Sequence, residues 1–242
     1  MHPGIKVPWT PRYYPKAQIR QGADRVSAPT RQGAPPLTGR NKPGAPAIQG
    51  KLSAMVMPAF HRFQSEAAII GRLLAGYAEL EIDLLNCVSQ AREDFDGTLK
   101  AMFRVRGETA RINVGDALGR QAYLKLGLGP DFELAVSVIR HCLKIRNQYA
   151  HCNWYDDRSG RLAFVNVEEI AKEKQLIFGF DGLTLRYVDV PILDRQEQYF
   201  GYADALMTYA NYEGRLRMGK LETRLFEKPA QVDRPPLYLL LD

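Results

Sequence analysis

The segment 144–154, KIRNQYAHCNW, sets Arg146, Asn147 and His151 within about one and a half turns at the end of an apolar run with helical spacing. The apolar stripe of that run is Phe132, Ala135, Val136, Ile139, Cys142, Leu143, Tyr149 and Ala150, and Arg146 falls in its middle. A guanidinium aimed at a core is costly unless an anion meets it. The first predicted helix offers Glu81 on its own apolar stripe, between Tyr77 and Leu84, so Glu81 is expected to face Arg146 across the bundle. Asp83 and Glu79 lie off that stripe and are weaker candidates. The other edge of the helix carries Arg140, Lys144, Asn147 and His151 at spacings of four, three and four, which share one ridge. That ridge is basic and close to the helix C-terminus, whose partial negative charge favours imidazolium. Asn147 and His151 form an i,i+4 pair, so the amide is placed to orient the imidazole.

These residue types suit cleavage of RNA without a metal or cofactor. The reaction takes a base for the 2′-hydroxyl proton, an acid for the leaving 5′-oxygen, and a fixed cation for the charged phosphorane. Histidine suits the proton transfers because it titrates near neutrality. Arginine suits the phosphate because its planar fork donates paired hydrogen bonds and stays charged. DNA would be spared for want of the 2′-hydroxyl.

Other readings of the same residues stay open. Arg146 and Glu81 can be a buried ion pair that fixes helix register, with His151 closing the helix. His141-Cys142 and His151-Cys152 are two His-Cys pairs, but neighbouring helical residues point about 100° apart, which does not gather them on one metal. Neither Cys142 nor Cys152 has an evident setting for a reactive thiolate. Trp154 and Tyr155 directly follow the motif; they can stack an RNA base or close the end of the bundle. Gly-rich nucleotide loops are absent, since GLGP (127–130) lacks both the lysine and the strand-to-helix context.

Helices must position these groups. Phe63, Ala67, Ile70, Leu74, Tyr77, Leu84 and Val88 follow helical spacing from about residue 61 to 90. A second helix is expected from Glu93 to Arg106, with Phe95, Leu99, Met102 and Phe103 inward and Gly107 as its stop. A third covers 108–126. The fourth, 132–152, is capped by Asp131 after Pro130. The period then becomes two, giving strands at 161–167, 175–180 and 183–190, the last two joined by an Asp181-Gly182 turn. A fifth helix spans 193–217 with Phe200, Ala203, Met207 and Ala210 inward. The tail is Pro-interrupted and ends apolar, and Tyr238–Leu241 is expected to dock on the domain or on a second chain. The fold class is therefore mainly α: a bundle of four to five helices, residues 59–217, with a small β insertion at about 161–190 and a tail at 218–242.

Of the 242 residues, 45% are hydrophobic and 25% charged, as in an ordinary globular protein. No apolar run approaches the ~20 residues that span a bilayer, so no membrane partner is expected. The N-terminus has no apolar core of the kind a secretory signal needs. Cys87, Cys142 and Cys152 make an odd count without a C-x-x-C, which fits reduced thiols and a cytoplasmic setting. The net charge of +6 is unevenly spread: residues 1–51 hold nine Lys or Arg against Asp24 alone, so the rest is acidic on balance. Residues 1–58 also hold ten of the fifteen prolines and read as an extended or disordered arm that can attract phosphates without regard to sequence.

RNQYAH (146–151) resembles the R-N-x-x-x-H signature of the HEPN superfamily, the higher eukaryotes and prokaryotes nucleotide-binding domains. The long first helix and the motif near the end of the fourth are similar too, over about residues 61–215. The resemblance implies a metal-independent endoribonuclease in which Arg146 binds phosphate, His151 transfers protons and Asn147 is their polar neighbour. It implies a homodimer whose cleft brings two such motifs together, single-stranded RNA as substrate, and a toxin–antitoxin or anti-phage setting with a protein antitoxin or regulator. Arg140, Lys144, Trp154 and Tyr155 become RNA-contacting candidates, and Glu81 a supporting residue. One departure stands out: toxins of this family paired with nucleotidyltransferases tend to carry tyrosine two residues after the histidine, where this chain has Asn153. The alternative is a non-catalytic module of the same fold that binds RNA, a nucleotide or a protein.

Overall fold

The computed structural model describes residues 58–172 and 183–240. The chain divides after Leu52 into two units, and the described residues all lie in the second. Among the described residues, seven helices and three short strands follow one another as α1 (Pro58–Arg62), α2 (Gln64–Arg92), α3 (Phe95–Phe103), α4 (Glu108–Lys125), α5 (Gly129–Ala150), β1 (Asn153–Tyr155), β2 (Leu162–Val165), α6 (Val167–Ile170), β3 (Arg186–Val188) and α7 (Val190–Arg217). The class is the expected one, a helical bundle with a small antiparallel sheet before the last helix.

Boundaries differ from expectation for local reasons. The first predicted helix breaks at Phe63, whose φ of −106° and ψ of 58° leave the helical region while its ring stays buried. Glu93 was expected to open the second helix; instead it ends α2 in the left-handed region at φ 57°. Asp94 then caps α3, its carboxylate accepting from the Gly97 N–H at 2.9 Å. Phe95, expected inward, is 58% exposed; Met102 is buried as expected, and Thr98 joins it on the core side. Gly107, at φ 84°, supplies the turn that separates α3 from α4. Asp131 does not cap the fourth predicted helix: α5 starts two residues earlier around Pro130, and Asp131 bonds Lys228 at 2.7 Å. The strand at Asn153–Tyr155 was not expected, while the predicted strand 175–180 and the Asp181-Gly182 turn lie outside the described residues.

Cross-helix contacts give the directions. Arg72 meets Glu197 and Cys87 meets Met207, so α2 and α7 run the same way. Glu81 meets Arg111 and Cys87 meets Tyr123, so α4 runs with them, and α3 is the return stroke that allows it. The central α5 runs against all three, Arg140 reaching Asp116 while Arg146 reaches Glu108, and Tyr149 reaching Gln196. Leu73, Leu84, Ile112, Phe132, Ile139 and Leu193 are among the fully buried side chains between them. Burial of each is worth ~1.5–3 kcal/mol, which sets the bundle against the entropy of ordering the chain.

The strands pair in the order β1-β2-β3, with Trp154 opposite Phe164 and Leu162 opposite Val188. This sheet closes the end of the bundle at which α5 stops. Leu239 of the tail pairs with Tyr187 on β3 through two backbone hydrogen bonds of 2.8 and 3.0 Å. No described helix is long and apolar enough to cross a membrane.

Candidate functional site

The last turns of α5 meet the first turn of α4, the middle of α2 and the short α6. Arg146 is half-buried, its side chain 26% exposed. Its Nη1 donates to Asn147 Oδ1 at 2.9 Å, and its Nη2 lies 3.3 Å from Glu108 Oε1. Glu81 is not its direct partner. That carboxylate accepts from Arg111 Nη1 at 3.0 Å, which corrects the expected Glu81–Arg146 pair. The reason is that α4 runs into the seam between α2 and α5 and brings its own acid and its own cation, one turn apart, to the two groups. Arg146 still acts on Glu81 through space: burial pushes the Glu81 carboxyl up, and Arg111 first and Arg146 to a lesser degree oppose that.

Tyr77 shares this seam. Its phenol is pushed up by burial and by Glu81 and Glu108, with Arg146 opposing. Three buried atoms here have no hydrogen-bond partner among the described residues: the Tyr77 hydroxyl, Glu81 Oε1 and Arg111 Nε.

His151 ends α5 with φ −121° and ψ 25° and is open to solvent, its side chain 46% exposed. Nδ1 lies 3.6 Å from Glu168 Oε1 on α6. Asn147 makes no hydrogen bond to the ring; its amide oxygen accepts from Arg146 instead. The carboxylate nearest the ring is Glu168, which sequence reasoning missed. The available signal was the Asn166-to-Glu169 capping pattern after a strand, since the Asn166 side chain accepts from the Glu169 N–H at 3.2 Å and fixes where α6 begins.

The remaining candidates scatter. Arg140 donates to Asn113 at 3.2 Å and to Asp116 at 2.8 Å on α4. Lys144 is exposed on the same ridge. Trp154 is half-buried among Phe60, Tyr149 and Phe164, with ring centres 5.3, 5.7 and 5.3 Å away, and so packs at the closed end of the bundle. Tyr155 is 39% exposed and lines a cavity with Asp156, Asp157, Val165, Leu183 and Leu185. A second cavity lies between the C-terminal ends of α2 and α4. Neither takes in Arg146 or His151.

The cysteines are free. Burial pushes all three thiols up, Cys152 to about 12, which leaves none disposed to act as a thiolate at neutral pH. His141 is engaged elsewhere: its Nε2 donates to the Pro235 carbonyl at 2.9 Å. The arrangement therefore offers a half-exposed guanidinium on a long ion pair and an open imidazole with a carboxylate beside one nitrogen, both at the C-terminal end of one helix. Comparison with protein-family models, with curated proteins and with solved structures finds no match for this chain.

Proposed function

We propose that this protein is a metal-independent endoribonuclease of the HEPN type, working in the cytoplasm, with a toxin–antitoxin or anti-phage role. The observation that carries the reading is the open His151 ring with Glu168 3.6 Å from Nδ1, at the end of the helix that also holds Arg146. An exposed imidazole beside a carboxylate is a group of the type that proton transfer needs. In the proposed reaction a base takes the proton of the RNA 2′-hydroxyl and the 2′-oxygen attacks the adjacent phosphorus. Arg146 balances the added charge, and an acid protonates the departing 5′-oxygen. The products are a 2′,3′-cyclic phosphate and a 5′-hydroxyl. One chain supplies one motif histidine, so the second proton-transfer group comes from a second copy in a homodimer.

Labelled RNA incubated with the protein in EDTA is expected to be cut with 2′,3′-cyclic phosphate ends. Arg146→Ala and His151→Ala are each expected to lower the cutting rate by at least about a hundredfold, as loss of a charge stabiliser or acid–base group does, with unchanged melting temperatures. Intact RNA after exposure to the folded wild type would remove the nuclease reading. The second reading, a binding module for RNA, a nucleotide or a protein, is favoured by one feature: neither described cavity takes in Arg146 or His151. RNA binding that survives both substitutions, without cutting, would select it.

A further inference from the structure

Five cations gather at the corner where α3 hands over to α4. Arg104 and Arg106 lie in the link 104–107, both exposed, and neither has an acidic partner among the described residues. Arg111 comes from the start of α4, with part of its side chain exposed and its Nε unpartnered. Arg146 reaches the same helix turn through Glu108. Lys144, exposed and likewise without an acidic partner among the described residues, lies on α5 between Arg140 and Asn147, on the ridge that Arg140 ties to α4. The carboxylates paired with this group are Glu81 and Glu108. Like charges held together this way repel, and the concentration of positive potential favours an anion.

Two independent features aim at the same place. The 18-residue α4 begins at Glu108 behind Gly107, with no side-chain hydrogen bond capping it, so the N–H groups of its first turn have no side-chain capping partner at the positive end of the helix dipole, where Glu108 is the one acidic residue. Beneath that turn the Tyr77 hydroxyl is buried without a hydrogen-bond partner, on a residue only 3% exposed. An orphaned buried hydroxyl is costly, and an arriving acceptor removes that cost. The Arg146–Glu108 ion pair in the same seam is open to replacement. Arg146 and Glu108 are 3.3 Å apart and 26% and 30% exposed, a setting in which an ion pair contributes little.

We infer that the α3–α4 corner is a binding subsite for the sugar-phosphate backbone of RNA, in which Arg104 and Arg106 hold the phosphates next to the one at Arg146. The uncapped turn of α4 faces the same backbone, and phosphate takes the place of Glu108 at the Arg146 fork. This rests on the ribonuclease reading only in making Arg146 the residue at the reacting phosphate. Guanidinium forks match phosphate and carboxylate oxygens alike in pairs, so the poly-glutamate arm of the test separates a nucleic-acid backbone from an acidic peptide.

The test uses the full chain and a fluorescent single-stranded RNA with 2′-O-methyl groups throughout, which cannot be cut. Binding is followed by anisotropy across a salt series. The Arg104→Ala/Arg106→Ala double variant is expected to bind about tenfold more weakly at low salt, and the slope of log affinity against log salt is expected to fall by about one to two. Lys125→Ala, at the opposite end of α4, is expected to leave both unchanged, and both variants should melt with the wild type. Wild-type affinity and slope in the double variant would overturn the subsite. So would failure of the wild type to bind the RNA, or equal binding of a poly-glutamate peptide at matched length. The probe is uncuttable, so the outcomes separate: a lost slope with no cutting of ordinary RNA in EDTA keeps the subsite and removes the nuclease, and the converse result does the reverse.

Discussion

Asp83, half-buried, and Asp204, exposed, meet where α2 lies alongside α7, and two carboxylates held together do not both ionise cheaply. Burial first, then the charge of Asp204, pushes the Asp83 carboxyl up to about 7, so near neutrality the pair shares one proton. The folded value lies above the unfolded one. Stability from this pair is therefore complete below the ordinary Asp value of 3.8 and is lost as pH rises toward about 7. Asp83→Asn is expected to raise unfolding stability at pH 8 by ~1–2 kcal/mol, less than the full shift because the seam is half open to water. At pH 4 the substitution is expected to change little. Urea midpoints at the two pH values test this; equal midpoint gains at both would show that the aspartates do not share a proton. The same logic of local charge applies to the motif. Arg146 was legible as a guanidinium on a core stripe that needs an anion, and it has one, but the sequence does not say which acid stands nearest. That depends on how deeply α4 enters the seam, a property of helix packing that no local pattern carries.

Among the elements, the depth of that entry is set by small residues. A Cβ on Gly119 would meet the Phe132 ring at 2.5 Å and Val88 at 3.0 Å, while one on Gly115 would meet Leu84 at 2.9 Å. Phe132 has no room to retreat, since its ring stacks on Tyr123 at 4.4 Å and the residue is 1% exposed. Gly119→Ala is therefore expected to cost ~1–3 kcal/mol as an overpacked core does. Gly71→Ala is expected to stabilise by ~0.5–1 kcal/mol, because an added methyl meets nothing within 4 Å and alanine is the better helix former. Thermal melts of the two variants should move in opposite directions; a Gly119→Ala protein that melts with the wild type would show that α2, α4 and α5 do not pack this closely. Helix periodicity in the sequence revealed α2, α4, α5 and α7 to within a few residues, because their apolar stripes repeat with the helical turn. It missed β1, a strand of three residues placed by its pairing with β2 and not by its own pattern. It also misplaced Phe95, an aromatic at helical spacing on a helix too short to bury every member of its stripe.

At the scale of the whole molecule, the tail after α7 acts as a strap across α5, α7 and the sheet. The Pro236 and Leu237 carbonyls accept from Gln196 at 2.8 and 3.1 Å, and the Leu237 carbonyl also accepts from Gln148 at 2.7 Å. Gln196 is fully buried, and Gln148 and His141 nearly so. Without the strap each of these would be a buried polar group without a partner, at about 1–3 kcal/mol apiece and not strictly additive. A chain ending at Asp233 is therefore expected to melt about 10 °C lower than the full chain, taking ~2–4 °C per kcal/mol for a protein of this size. The strap also carries a pH signature. Burial pushes His141 below its ordinary value of 6.5, the hydrogen bond its ring donates to Pro235 opposes this, and Arg234 of the strap adds to it. The folded value is the lower one, so the unfolded chain takes up the proton first and the strap weakens as pH falls below 6.5, keeping full strength above it. This slope is opposite in sign to that of the Asp83 pair, so it is read from the difference between the two chains. The melting gap between full and shortened protein is expected to be larger at pH 8 than at pH 5. A gap independent of pH would show that the His141 contact adds nothing to the hold of the strap, and no gap at all would show that the bundle stands without it.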